Sequence, residues 1–296
     1  MPDRVLTGLA LRLFAVACLA SMAAVIKLAE AYGAALVEIM FFRQLAAMPV
    51  VIGWLMVGPG LASIRTARIG AHATRTAMGL TGMVFNFGAL VLLPLAEATT
   101  LAFTVPIFAT ILGALLLGEK TGWHRWSAVA AGFVGVLIVA QPGGGHFPLA
   151  GALVGLTAAL MVAVISIQLR QLGRTEGAGT TVFWFTLLSL PPLALAYCFG
   201  VQAHGWQVWA MLAAIGAIGG AGQIALTAAL RFAPVSTVVP MDYSSLIWAT
   251  LYGWLLFGVW PTPYTWIGAP VIVASGLYIA WREHRLRIRT VEPISP

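Results

Sequence analysis

Apolar residues fill ten long blocks of this chain, near residues 8–30, 34–57, 74–93, 96–117, 124–141, 148–170, 179–200, 207–231, 236–257 and 264–282. Turn formers gather between the blocks: Gly58-Pro59-Gly60, Pro94, Gly118, Pro142 to Gly145, Gly177, Gly205, Pro234 and Pro261-Thr262-Pro263. A helix of about 20 mostly apolar residues crosses about 30 Å of hydrocarbon, so each block predicts one transmembrane helix. The expected fold is an all-α integral membrane protein with ten spans, numbered here 1 to 10.

The blocks also repeat. A gapless shift of 140 residues lays Gly79 on Gly219, Gly82 on Gly222, Pro94 on Pro234, Gly113 on Gly253, Gly118 on Gly258 and Trp126 on Trp266. Upstream, "MAAVI" at 22–26 resembles "MVAVI" at 161–165 with the offset changed by one. Each half then holds five spans. An odd number per repeat makes the two halves insert with opposite orientation, the inverted plan of secondary transporters. The expected organisation is a first repeat over 5–141, a second over 148–282 and a basic cytoplasmic tail over 283–296.

Composition agrees with a lipid environment. Of 296 residues 60% are hydrophobic and 8% charged, against about 25% charged in a soluble domain. The net charge of +7 does not point to nucleic acid, because the basic residues are scattered singly and only "WREHRLRIRT" forms a cluster. Cys18 and Cys198 lie in apolar runs, which excludes a disulfide framework or a cysteine metal site. The N-terminal apolar run lacks a small-residue cleavage site before a soluble domain and is expected to be span 1.

Charge also predicts orientation. With both termini cytoplasmic, 14 of the 16 Lys and Arg residues fall on the inner side, and the outer loops hold none. The same inversion accounts for "GEKTGWHRW" after span 4 and its uncharged counterpart "GVWPTPYTW" after span 9.

Several stretches then carry a family resemblance: "FFRQLAAMP", "LLPLAEATTLAFTVPIFATILGALLLGEKTGWHRWSAVAAGFVGVLIV" and "RFAPVSTVVPMDYSSLIWATLYGWLLFGVWPTPYTWIGAPVIVASGLYIA". They resemble the drug/metabolite transporter superfamily, EamA type. Arg43, Pro106, Leu117-Gly118-Glu119, Trp126, Gly132 and Gly135 stand where that family's marks belong, and Lys27 matches a Lys frequent late in its first helix. Val259 departs from the pattern, where a Glu is common. The resemblance implies two EamA repeats around a central cavity, in a carrier of small metabolites. Within the superfamily the chain resembles the YddG-like amino acid exporters.

Candidate functional residues come from polar groups inside the spans. From a turn at Gly33, Lys27 and Glu38 lie about 8 Å deep and Arg43 about 15 Å deep, at 1.5 Å per residue. Lys27 and Glu38, at equal depth on adjacent helices, are expected to form an ion pair. Arg43 costs about 3 kcal/mol to bury at midplane, so it either locks the fold or meets a substrate carboxylate. In span 9, Asp242, Ser244, Ser245, Trp248 and Tyr252 fall within one arc of a helix, where the only Asp in any span suggests proton coupling. Packing alone is the other reading of Trp248 and Tyr252. Phe85 adds a ring, and Asn86, Gln168 and Gln223 add mid-span amides that serve either as helix clasps or as substrate contacts.

These residues together expect a substrate-binding set of Lys27, Arg43, Phe85, Asn86, Gln168, Gln223, Ser244, Ser245, Trp248 and Tyr252, with Asp242 and Glu38 in coupling. A zwitterion with an apolar side chain would use such a set. The expectation is therefore export or exchange of neutral and aromatic amino acids across a bacterial inner membrane by alternating access. A multidrug carrier or one for nucleotide-like or S-adenosylmethionine-like metabolites is the alternative, with a membrane enzyme or a channel behind it. The five histidines lie in or beside loops without metal-ligand spacing, and no His-Glu-x-x-His, Gly-x-Ser-x-Gly or Cys-x-x-Cys motif occurs. No enzyme activity, cofactor, metal or nucleic acid partner is expected. The expected partners are the lipid bilayer and a small substrate, with the chain a monomer or weak homodimer.

Overall fold

A computed structural model describes residues 2–58, 60–116, 122–141, 148–173, 175–232 and 239–291. Among the described residues every regular element is helical, and nine helical segments are long and apolar enough to cross a membrane. Eight spans are single helices: Pro2–Ala31 (span 1), Leu36–Val57 (2), Ile69–Leu92 (3), Trp123–Ala140 (5), Leu149–Leu172 (6), Ala178–Cys198 (7), Trp206–Phe232 (8) and Pro263–Val291 (10). Span 3 starts before the expected residue 74, and span 10 continues past 282 into the basic tail. Leu117-Gly118-Glu119, Lys120, Pro142 to His146, Arg174 and Pro234, all used in the sequence reading, lie outside the described residues, as do the side chains of 283–296.

Spans 4 and 9 are interrupted. Span 4 comprises Leu95–Ala102 and Val105–Leu116, joined at Phe103–Thr104. Pro106 has no N–H to give to the preceding turn and its ring crowds that turn, so the helix tightens there. Phe103 and Thr104 donate instead to the carbonyls of Thr100 and Leu101, three residues back. Span 9 opens as a 3-10 turn, Val239–Ser244, and continues as the 13-residue helix Ser245–Phe257. That helix is about 20 Å long and needs the preceding turn to complete a crossing. The 140-residue shift carries Val105 onto Ser245, so both repeats resume their fourth helix at the same register.

Packing repeats the same symmetry. Span 1 lies along span 8, and its counterpart, span 6, lies along span 3. A Cβ built on Gly222 would meet Cys18 and Leu19 of span 1, while one on Gly82 would meet Ile165 and Met161 of span 6. The missing side chains let each pair of helices approach closely. Spans 5 and 10 cross through Gly268, where a Cβ would sit 2.7 Å from the Gly135 carbonyl oxygen, and through Ser275, whose hydroxyl donates to the Ala128 carbonyl at 2.5 Å. The shift maps Ala128 to Gly268 and Gly135 to Ser275, so these are two copies of one contact. The breaks in spans 4 and 9 meet as well: the rings of Phe103 and Tyr243, repeat equivalents, stand edge-on with centroids 4.8 Å apart. The ten-helix inverted repeat expected from sequence is the architecture observed.

Candidate functional site

The bundle has two ends. The inner end, so named for its arginine-bearing loops, carries residues 58–68 and 173–177; the outer end carries 32–35, 199–205 and 258–262. Between them, spans 1, 2 and 3 and their counterparts 6, 7 and 8 enclose a cavity of ≈ 440 Å³, within the ordinary range of ligand pockets of about 300–1,000 Å³. It lies at the interface between the repeats, where carriers of this plan bind their substrates.

Two arginines face this cavity. Arg43 of span 2 donates to the Gln44 amide oxygen at 2.8 Å, and its Nε has no hydrogen-bond partner among the described residues. Arg75 of span 3 lies over the Phe185 ring, 4.4 Å from its centroid, and leaves Nε and one terminal nitrogen unpartnered. Gly79 makes room for this pair, since a Cβ there would fall 2.2 Å from the Arg75 guanidinium and 2.5 Å from the Phe185 ring. No Asp or Glu appears among the cavity's described lining residues. Asn86 and Gln223 add amides, while Met22, Met83, Phe87 and Phe185 add polarisable surface. The site is thus rich in hydrogen-bond donors and poor in negative charge. It suits a ligand with several acceptor oxygens or nitrogens and an apolar, ring-bearing body.

The structure brings Arg43, Asn86 and Gln223 together and places the other sequence candidates elsewhere. Lys27 and Glu38 do not form the expected ion pair. Lys27 donates to the carbonyls of Leu90 (3.0 Å), Val91 (3.3 Å) and Leu93 (2.9 Å), capping the C-terminal end of span 3, where orphan carbonyls and the helix dipole attract a cation. Glu38 turns to the loop before span 8 and meets the His204 Nε2 at 2.7 Å. Equal depth brought the two residues level but did not determine which way each points.

The span 9 group is also displaced. Asp242 lies in the 3-10 turn and accepts two bonds from the Arg12 guanidinium, at 2.6 and 2.5 Å. The Ser244 and Ser245 hydroxyls donate back to the carbonyls of Met241 and Asp242. Trp248 and Tyr252 stack with centroids 6.0 Å apart, and the Tyr252 hydroxyl meets Ser21 of span 1 at 2.7 Å. None of these five residues lines the cavity. Phe85 is half-buried beside it and Phe87 takes the lining position. Gln168 is half-buried outside the lining, with its amide oxygen unpartnered.

Sequence reasoning missed Arg75 by counting it with the cations at a span's inner edge. Span 3 begins at Ile69, which sets Arg75 almost two turns inside the helix. It also passed over Phe185, and over Glu97, a fully buried carboxyl near the outer end. The spacing of Arg75 and Gly79, one turn apart on the face that carries Gly82 and Asn86, was the available signal.

The chain matches the profile of the EamA-like transporter family over residues 6–141 and again over 149–281. It is 34% identical over 228 residues to a riboflavin transporter of Vibrio cholerae, covering 76% of each chain. A riboflavin transporter of Rhizobium johnstonii shares 34% identity over 229 residues, covering 76% of this chain and 75% of the relative. A pseudopaline exporter of Pseudomonas aeruginosa shares 30% over 242 residues, covering 80% of this chain and 84% of the relative. A crystal structure 21% identical in sequence shares the fold with a TM-score of 0.60, over 96% of this chain and 99% of the other.

Proposed function

Since the chain belongs to the EamA-like transporter family, and is thereby a membrane carrier of small metabolites, we propose that its substrate is a flavin or a similar carbonyl-rich heteroaromatic compound. The observation that carries this reading is a cavity with no acid among its described lining residues, where Arg43 and Arg75 present unmatched N–H groups beside Asn86, Gln223 and the Phe185 ring. A flavin offers a dione edge for amides and guanidinium groups, a flat ring system for Phe185 and the methionines, and a polyhydroxylated chain. Unsatisfied buried donors disfavour ligands that cannot accept hydrogen bonds, which gives such a site its selectivity. Riboflavin transport by the relatives from Vibrio cholerae and Rhizobium johnstonii supports the same choice.

A carboxylate beside the cations would be the strongest partner for an amino acid's ammonium group. Asp242, the acid that the sequence singled out in span 9, is engaged by Arg12 and stands outside the cavity lining. We place the carrier in a bacterial inner membrane with both termini cytoplasmic, on the one-sided distribution of its arginines. Access alternates between the two ends as the repeats rock about the crossing of spans 5 and 10.

Thermal-shift measurements on the purified protein separate the two substrate classes, because a ligand that binds only the folded state raises its apparent stability. Riboflavin raises the midpoint on this reading, whereas phenylalanine, tryptophan and methionine leave it unchanged. A shift with the amino acids and none with riboflavin would instead support amino acid transport.

A further inference from the structure

Besides Asp3 and Glu283 at the ends of spans 1 and 10, four acidic residues lie in the described spans: Glu30, Glu38, Glu97 and Asp242. Asp242 is paired with Arg12 and Glu38 with His204, and Glu30 sits at the outer tip of span 1. Glu38 is as buried as Glu97 and also leaves one oxygen bare, but it has the His204 imidazole as a partner, whereas the hydrogen-bond partners of Glu97 are all non-ionisable. Glu97 is 1% exposed at the start of span 4, and no cation pairs with it among the described residues. Its Oε1 accepts the Thr262 N–H at 3.2 Å and the Thr265 hydroxyl at 3.0 Å, while its buried Oε2 has no hydrogen-bond partner there.

Glu97 lines a second cavity, of ≈ 280 Å³, between spans 1, 3, 4 and 9 at the outer end. Lys27 lines the same cavity, but its three donors go to the carbonyls closing span 3. Among the described residues, the outer ends of spans 3, 6 and 9 bring no charged side chain here, and the start of span 10 brings only Tyr264 among titratable groups. An ionised carboxyl buried with one oxygen bare is strongly disfavoured, whereas a proton on that oxygen removes the charge and supplies a donor.

We propose that Glu97 is the proton-exchanging carboxyl of the transport cycle. Its Oε2 takes a proton from water in the outer cavity and returns it when the opposite face opens. The inference rests on the carrier reading but not on the choice of substrate. The geometry also supplies a link between proton and motion. Oε1 straps the first half of span 4 to Thr262 and Thr265 at the entry to span 10. Hydrogen bonds to a charged acceptor are roughly twice as strong as neutral ones, so protonation slackens this strap and ionisation tightens it. The strapped segment, Leu95–Ala102, ends at the break at Phe103–Thr104, which separates it from the rest of span 4.

Two measurements test the proposal. Infrared difference spectra between high and low pH should show a carboxylic acid C=O band that is absent in Glu97→Gln and present in Asp242→Asn. In proteoliposomes, an imposed proton gradient should raise substrate accumulation at least fivefold for the unmodified protein, with no gradient effect in Glu97→Gln and substrate counterflow persisting in that variant. A band unchanged in Glu97→Gln, or a gradient response that survives it, overturns the proposal. If riboflavin shows no counterflow in the unmodified protein, the substrate reading fails by itself, and the infrared band still decides for or against Glu97.

Discussion

Each charged side chain in a lipid-embedded helix must have somewhere to put its charge, and here the arginines divide by what they meet. Arg12 meets a carboxylate; Arg43 and Arg75 meet a cavity. Substitution should therefore have different consequences. Arg12→Ala leaves Asp242 unpaired and should lower stability by about 1–2 kcal/mol, discounted from the about 3–5 kcal/mol of a fully buried pair because the Asp242 side chain is 38% exposed. Thermal unfolding in detergent reads that loss. Arg75→Ala should instead reduce transport at least tenfold with little change in unfolding temperature, and Arg75→Lys should restore only part of it, since an ammonium lacks the planar fork. Lys27 and Glu38 give a third case. Lys27→Met uncovers three carbonyls and should cost about 1–3 kcal/mol, with a coupling energy to Glu38→Gln below about 0.5 kcal/mol in a double-mutant cycle. Coupling above that limit would restore the ion pair expected from depth alone.

At the scale of elements, hydropathy made the spans legible and the 140-residue register made the pairing of the halves legible, because both depend on positions along the chain. The breaks were not legible as breaks: Pro106 marked one, but the 3-10 turn at Val239–Ser244 was read as ordinary helix. That error aimed Asp242, Ser244 and Ser245 at the cavity, whereas the turn returns both hydroxyls to the backbone. Rotation of each helix about its own axis is set by packing, which is why Arg43, Asn86 and Gln223 were found while Phe85 and Gln168 missed the lining. The tight crossing of spans 5 and 10 yields its own expectation. A Cβ on Gly268 would lie 2.7 Å from the Gly135 carbonyl and 2.5 Å from a Val139 methyl, so Gly268→Ala should destabilise the protein by about 1–3 kcal/mol. An unchanged unfolding temperature would mean that the two helices stand further apart.

For the whole molecule, the inverted repeat gives a cavity built by the first three spans of each half and a scaffold built by the fifth. Its orientation in the bilayer is open to direct labelling in a background free of Cys18 and Cys198. Gln202→Cys, exposed in the loop after span 7, should react with an impermeant thiol reagent in intact cells, and Arg65→Cys should be protected. The reverse pattern would invert the topology. The central claim concerns the cargo, and counterflow of radiolabelled riboflavin in proteoliposomes tests it most directly. The account predicts rapid exchange by the unmodified protein, competition by flavins but not by phenylalanine or tryptophan, and at least tenfold slower exchange in Arg75→Ala. No riboflavin exchange, alongside counterflow of an amino acid, would contradict it.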